Sequence, residues 1–380
     1  MRKSYSKLFR MLKKRSLTII GIVVAILVII FVAKTASFYP FLFQLIFNKG
    51  VNLKQTDNRI NILVLGIGGG SHDGPNLTDT IILVSLDPKN NKVTLTSIPR
   101  DLWIPDLTGD VKKINSAYAD GEAVRKGGGL PLAEAVVSKV TGQNVDYGIR
   151  IDFSGFVKAV DIIGGLDINV DNTFDDYQYP VDGKEADICG HTQTELQTMA
   201  SDSADQAVLD FPCRYKHIHF DKGLNRMDGE TALEFVRSRH ASQAIEASDF
   251  ARSKRQEKII KAFKDKILSA QTLINPEKII SLYTTLQGSI DTDIKQDEFD
   301  DFIRLATKMR NAKIQSAVID VGDEQTQRAG LLINPPISSD YFYAWTLVPR
   351  VGNGNYLEIQ NYVTCEISKG NCLVPQTPKP

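Results

Sequence analysis

The first 33 residues contain no aspartate or glutamate, although the chain as a whole holds 45 acids against 45 lysines and arginines. That local absence undoes the apparent neutrality. Seven bases (Arg2, Lys3, Lys7, Arg10, Lys13, Lys14 and Arg15) stand in the acid-free stretch, which leaves 38 bases against 45 acids, net −7, for the remainder. A mildly acidic body argues against a nucleic-acid partner. Cysteine is scarce too, four in 380 residues, with no C-x-x-C pair and no partner for His191 at ligand spacing, so a zinc reading of the cysteines is weak. Glycine is not in nucleotide-loop order: Gly66, Gly68 and Gly70 miss G-x-G-x-x-G, and SHDGPN after them reads as loop.

What the acid-free stretch does have is hydrocarbon. From Leu17 to Ala33 the chain reads LTIIGIVVAILVIIFVA without a charge, close to the ~20 residues that cross a bilayer as a helix. FYPFLFQLIF (38–47), broken by Pro40, reads as an interfacial extension. A cleaved signal peptide is the competing reading; the long apolar run and Lys34 within the small-residue stretch favour an uncleaved signal anchor. Seven bases precede the span against Lys34 just after it, so the expectation is a single-pass protein of the cell membrane with a cytoplasmic amino terminus and an extracytoplasmic body. The expected organisation is a basic arm (1–16), the span (17–33), a linker (34–58), a main domain (59–322) with a surface insertion (182–219), and a carboxy-terminal extension (323–380). Within that extension, 339–372 reads as a strand-rich appendage and QTPKP as a disordered end. All four cysteines fall on the outer side, where disulfides persist. Short loops favour Cys189 with Cys213 and Cys365 with Cys372; unpaired thiols stay open.

The body alternates strands and helices. INILVLGI (60–67) reads as a buried strand. TIILVSL (80–86), the turn DPKNN (87–91) and KVTLTSI (92–98) read as a hairpin. With Leu86 pairing near Lys92, Asp79 comes beside Arg100 and Asp101 at one end of the sheet. PLAEAVVSKVTG (131–142) reads as a helix ending on Gly142, and 146–170 as strand, helix (about 153–163) and strand, with Gly164 and Gly165 as the stop. The fold class expected is α/β: a layered αβα domain with a mixed central sheet, behind one transmembrane helix. Further on, Asp228 caps a helix with Ala232, Leu233 and Val236 on its inner face, ending at Arg237 and Arg239. A longer helix starts at Ser248 or Asp249. On it Ile259, Phe263 and Ile267 form an apolar stripe that Gln256 and Arg252 continue, and a stripe that turns polar at one end points into a site. A cap or an ion pair with Asp249 is the competing reading for Arg252 and Arg255.

These residues resemble the LytR-CpsA-Psr proteins of bacterial cell-envelope assembly. The matching stretches occur in family order: TDT (78–80), SIPRD (97–101), KIN-x-AYADG (113–121), D-x-x-GG-L (161–166), LNRMDGETALEFVRSR (224–239) and DFARSKRQ (249–256). The resemblance covers about residues 61–268, and the remainder to about 322 is expected in the same domain. It implies a phosphotransferase that moves a glycan-1-phosphate polymer, of teichoic acid or capsule type, from a polyprenyl-pyrophosphate carrier onto peptidoglycan or a related wall acceptor. It further implies Mg²⁺ held by Asp79 and Asp101, and pyrophosphate oxygens gripped by Arg100, Arg237, Arg239, Arg252 and Arg255, with Gln256 lining the site. Asp79, Asp101 and Asp249 are the candidate bases. Leu77 stands where many members have arginine, and Ser248 where a glycine is usual. The chemistry asks for such a set on its own terms, because a pyrophosphate diester needs its charge neutralised more than it needs a covalent nucleophile. A hydrolase using the same site and a non-catalytic wall-polymer module are the alternatives.

Overall fold

The structure, a computed structural model, describes residues 51–70, 74–107, 112–184, 186–198, 204–267, 285, 288–323 and 327–376. The basic arm, the expected span at 17–33, most of the linker and the last residues of QTPKP lie outside them. Among the described residues no helix is long and apolar enough to cross a membrane. The described residues fall in two compact units: one holds those within 54–294 and 306–376, the other 51–53 with 295–305. In the smaller unit Arg304 reaches back to Asp300 and Asp301 at 2.5 and 2.6 Å, the i−4 and i−3 spacing of a helix.

The larger unit begins with strands β1 (Ile60–Ile67), β2 (Thr78–Asp87), β3 (Lys92–Ser97) and β4 (Tyr147–Asp152). Four more form two ribbons, β5 (Leu166–Val170) with β8 (Gly223–Met227), and β6 (Phe174–Pro180) with β7 (Tyr215–Phe220). Then β9 (Ile290–Thr292) and β10 (Lys313–Val318) return to the main sheet, whose order is β10-β3-β2-β1-β4-β9. Two of its pairings, β1 with β4 and β10 with β3, are parallel and the rest antiparallel, so the sheet is mixed as expected. β1 is buried along nearly its whole length, which is why its sequence is apolar apart from Asn61 rather than alternating.

Around these strands stand helices α1 (Ala117–Val124), α2 (Gly129–Thr141), α3 (Phe153–Ile162), α4 (Gly229–Arg237), α5 (Asp249–Ile267) and α6 (Leu357–Ser368), with shorter elements between them. One core cluster packs Leu63, Leu65 and Ile81 of the sheet with Leu130, Val137 and Val140 of α2 and Ile359, Val363 and Ile367 of α6. A second packs Val160 of α3, Ala232 and Phe235 of α4 and Ile259 of α5 over the two ribbons. Gly142 ends α2 at a φ of 68°, the left-handed cap expected. Two residues of the D-x-x-GG-L and M-D-G stretches meet here: Asp161 accepts from the Gly229 amide at 2.8 Å, docking the start of α4 on α3. A Cβ at Gly229 would stand 2.2 Å from the Val157 carbonyl oxygen, so glycine is what lets the two helices approach.

Two expected boundaries are corrected. Residues 215–219 are not insertion but β7, paired to β6; what lies between the ribbon strands is residues 181–214, closed by the Cys189–Cys213 disulfide. Nor is the carboxy-terminal segment a strand-rich appendage. Its main element is helix α6, and Leu331, Leu332, Leu347 and Tyr356 join Ile359, Val363 and Ile367 in the first core cluster. Leu347 also bridges to Leu102 in parallel, accepting from the Trp103 amide at 2.8 Å. The spacing Tyr356, Ile359, Val363, Ile367 is the 3-4-4 stripe of a helix buried on one side. Cys365 and Cys372 pair at its end, and no described cysteine is free.

Glu134 on α2 is the misfit of this core. Its Oε1 is buried with no hydrogen-bond partner among the described residues. Burial, then the nearby Asp293 carboxylate, push its carboxyl up to about 7, against the pull of Lys54. The folded chain therefore binds this proton more tightly than the unfolded chain, whose value is near 4.5. Stability from this group is full below the unfolded value and falls as pH rises through the folded one. Glu134→Gln is expected to raise the melting temperature at about pH 8 and change it little at about pH 4.5. Thermal scans at both pH values check this, and an equal shift at each would remove the assignment.

Candidate functional site

The first wall of the site follows from hairpin register. Asp87 pairs with Lys92 and Ile82 with Ser97, one step from the expected pairing of Leu86 with Lys92. The step has a cause: the Asp87 carboxylate accepts from the amides of Lys89 and Asn90 at 3.2 and 3.0 Å, so Asp87 serves strand and turn together. Carried onward, this register sets Asp79 opposite Arg100, and their side chains form an ion pair. Arg100 Nε also lies 3.5 Å from Asp101, whose other oxygen accepts from Lys113 Nζ at 2.8 Å. Burial alone would lower the Arg100 guanidinium, but the two carboxylates more than offset it and hold it above its usual range. Asp79, Arg100 and Asp101 are thus brought together as the sequence predicts.

The second wall is the turn that ends α4. Asp228 caps the helix by accepting from the Thr231 amide at 2.9 Å. Ala232 and Leu233 are buried as expected, whereas Phe235 takes the buried place expected of Val236. Past Arg237 the chain turns out of the helix at Ser238. Asp176 of β6, 1% exposed, accepts there from the Ser238 hydroxyl at 2.7 Å and from the amides of Arg239 and His240 at 3.2 Å each. From the other side Arg255 donates to the carbonyls of Phe235 and Ser238 at 3.0 and 2.8 Å, and to the Glu246 carboxylate at 2.8 Å. Arg255 is 3% exposed. The expectation that it grips phosphate is therefore corrected: its donors face the interior, where they hold the turn.

Between the walls lies a cleft of about 240 Å³. The hairpin end contributes Asp79, Thr80 and Arg100; the β6–β7 ribbon contributes Asp176, Gln178, Pro180 and Tyr215. The end of α4 contributes Val236, Arg237, Arg239 and His240, and α5 contributes Arg252 and Gln256. The stripe reading of α5 holds, with Ile259 at 4% exposure below Arg252 and Gln256. Its cap is Ser248, whose hydroxyl accepts from the Ala251 amide at 3.1 Å; the Asp249 side chain lies outside the described side chains. Arg237 lies over the Phe153 ring at 4.1 Å and donates to Asp182 at 3.0 Å. Asp101, with 14% of its side chain exposed, stands behind Arg100 rather than among the lining residues. Four arginines against Asp79 and the buried Asp176 leave the cleft cationic, with planar donors suited to phosphate oxygens.

Asp176, Gln178, Tyr215 and His240 were not anticipated as site residues. His240 directly follows the RSR triplet and could have been carried with it. Nothing local singles out Asp176. It sits in FDDYQYP, where only the alternation of β6 decides that it points inward and its neighbour Asp175 outward.

The Asp79 carboxylate on the cleft is a hard oxygen donor of the kind that suits a small divalent cation retaining sites for a phosphate.

Comparison with known proteins places this geometry. Bacillus subtilis TagV, named polyisoprenyl-teichoic acid–peptidoglycan teichoic acid transferase, is 30% identical over 255 residues, 66% of this chain and 53% of its own length. Bacillus cereus TagU, of the same printed activity, is 29% identical over 245 residues, 64% of this chain and 62% of its own. Regulatory protein MsrR of Staphylococcus aureus is 28% identical over 243 residues, 63% of this chain and 58% of its own length. The chain thus spans less than two thirds of the relatives it matches. In fold it is similar to the crystal structure of Bacillus subtilis TagV, with a TM-score of 0.51 at 23% identity over 82% of this chain and 98% of that one. The structure described as an Enterococcus faecalis transcriptional regulator gives 0.53 at 20% identity, over 82% and 88%. Residues 44–334, the hairpin, the α4 turn and α5 among them, match the LytR_cpsA_psr family, to which this chain belongs.

Proposed function

We propose that the cleft binds the pyrophosphate of a polyprenyl-linked glycan and transfers the glycan phosphate to a hydroxyl of peptidoglycan or a related wall polymer. The observation that supports this most is the convergence of Arg100, Arg237, Arg239 and Arg252 on one cleft beside Asp79. It agrees with the activity in the names of TagU and TagV. In the reaction the acceptor oxygen attacks the glycan-bound phosphorus, the P–O–P bridge breaks, and polyprenyl phosphate leaves. The arginines neutralise charge as it moves onto the leaving phosphate. Asp79 is the described carboxylate that lines the cleft among the three candidate bases, and it receives the hydroxyl proton in this reading.

Asp79, the carboxylate of this pair that lines the cleft, would hold Mg²⁺, which when bound would supply further positive charge to the pyrophosphate; Asp101, expected as a second ligand, lies off the lining and would orient Arg100 instead. Asp101 stays tied to Lys113 and Arg100, which fixes the guanidinium between two carboxylates. The setting proposed is a layered αβα domain outside the cell membrane, held there by the span at 17–33. Two disulfides suit such an oxidising space.

The test uses the purified full chain, a polyprenyl-pyrophosphate oligosaccharide and peptidoglycan, with and without Mg²⁺, following the lipid product. Sugar phosphate on the acceptor establishes transfer; release without attachment means hydrolysis, and binding without product means a non-catalytic module. Arg239→Ala and Asp79→Asn are expected to slow transfer by roughly 100-fold or more with an unchanged urea midpoint. Arg255→Leu is expected to act the other way round at the level of the fold. It should lower unfolding stability by roughly 3–5 kcal/mol, because Glu246 would be left buried without its partner. A wild-type midpoint in that variant would refute the interior role of Arg255.

A further inference from the structure

The outward face of the β6–β7 ribbon carries a second constellation, which the phosphotransfer reading does not use. His217 and His219 stand two residues apart on β7, so both imidazoles project from one face. Asp175 of β6 is registered opposite His219. Its Oδ1 lies 2.8 Å from Nε2 of His217 and 2.8 Å from Nδ1 of His219. Two imidazole nitrogens and a carboxylate oxygen therefore converge from three side chains, all three ligand atoms within 4.8 Å of one another. An ion bound to nitrogen at about 2.0–2.1 Å in a tetrahedral site needs ligand atoms roughly 3.3 Å apart, a change of tenths of an ångström for the two contacts with Asp175.

We propose that Asp175, His217 and His219 form a surface site for a divalent transition metal of the zinc class, with a fourth position open to solvent. The imidazoles are 46% and 44% exposed, which leaves that position room. Their neighbours hold them ready. The Tyr177 ring stacks on His217 at 4.2 Å and 6° between planes, which fixes one imidazole. Gln243 fixes the carboxylate: the Asp175 amide donates to its Oε1 at 3.0 Å, and its Nε2 lies 3.5 Å from Asp175 Oδ2. On the far side of His219, Asp221 Oδ1 lies 3.3 Å from Nε2. With Nδ1 on the metal, that nitrogen carries the proton and donates to Asp221, the carboxylate–histidine–metal arrangement that sets tautomer and basicity. Two imidazoles with one carboxylate suit zinc and its neighbours and give magnesium little. The ion would tie β6 to β7 one residue from Asp176, on the opposite face, so it would brace the ribbon that holds the Arg239 turn.

The test is metal titration of the full chain, stripped with a chelator and then freed of it, at near-neutral pH. Zn²⁺ is followed by calorimetry and Co²⁺ by visible absorption. One Zn²⁺ per chain, tetrahedral cobalt bands and no displacement by excess Mg²⁺ are expected. The His217→Ala/His219→Ala double variant should lose affinity by more than the roughly 10- to 100-fold that removal of an outer-shell partner costs. Both side chains are exposed, so an unchanged melting temperature without metal will confirm that this variant folds. Undiminished zinc binding in it, an octahedral cobalt spectrum, or no binding by the wild type would overturn the site and leave Asp175 as an ion-pair partner of the two histidines.

Discussion

Asp176 and Arg255 grip the same three-residue turn from opposite sides, and the rest of the site is arranged around that grip. The carboxylate collects the hydroxyl and amide donors of Ser238, Arg239 and His240, while the guanidinium takes the carbonyls of Phe235 and Ser238. Both groups are nearly without exposure, so each has given up water for peptide groups, an exchange that is favourable only when the partners are already in place. A turn held this way cannot relax when a charged ligand arrives. In the proposed reaction the arginines on its rim would be set before the pyrophosphate binds, which is the condition under which fixed charge lowers a barrier instead of following it.

The opposite wall obeys a different logic. Arg100 is held between Asp79 and Asp101, and Asp101 in turn between Arg100 and Lys113, a chain of alternating charge at the end of a hairpin. Such a chain orients its members without burying any of them fully, and leaves Asp79 and Arg100 on the cleft. The cleft is thus rigid on its helical side and polar on its sheet side. Phosphoryl transfer asks for both, since the charge must be met by fixed donors while the attacking and leaving groups need room along one line.

The sequence carried the sheet side well because hairpin pairing is arithmetic: once TIILVSL and KVTLTSI are taken as partners, Asp79 must come near Arg100. The one-residue error came from Asp87, which reads as a turn residue but also pairs as the last residue of β2. The helical side was legible only in part. Arg252 and Gln256 continue the stripe through Ile259 and do line the cleft, yet Arg255, four residues before Ile259, lies on its core side. Charge alone hid that, since a buried arginine and a ligand-binding one read alike until their partners Glu246 and Phe235 are located. Asp176 was illegible for a related reason, its role being set by a turn more than sixty residues away. The α6 stripe, by contrast, is legible in the sequence from Tyr356, Ile359, Val363 and Ile367, although the segment lies past the last family motif.

The place of α6 and β10 in the fold governs the order in which the fold can be made. β10 lies parallel to β3, with Lys313 beside Lys92, and α6 packs its Ile359, Val363 and Ile367 onto strands laid down near the start of the unit. During synthesis the hairpin emerges long before β10 and α6, which pair and pack against it. The nascent domain must wait with an open sheet edge and an uncovered apolar face, and protecting both until the carboxy-terminal helix arrives is a burden on whatever escorts the chain.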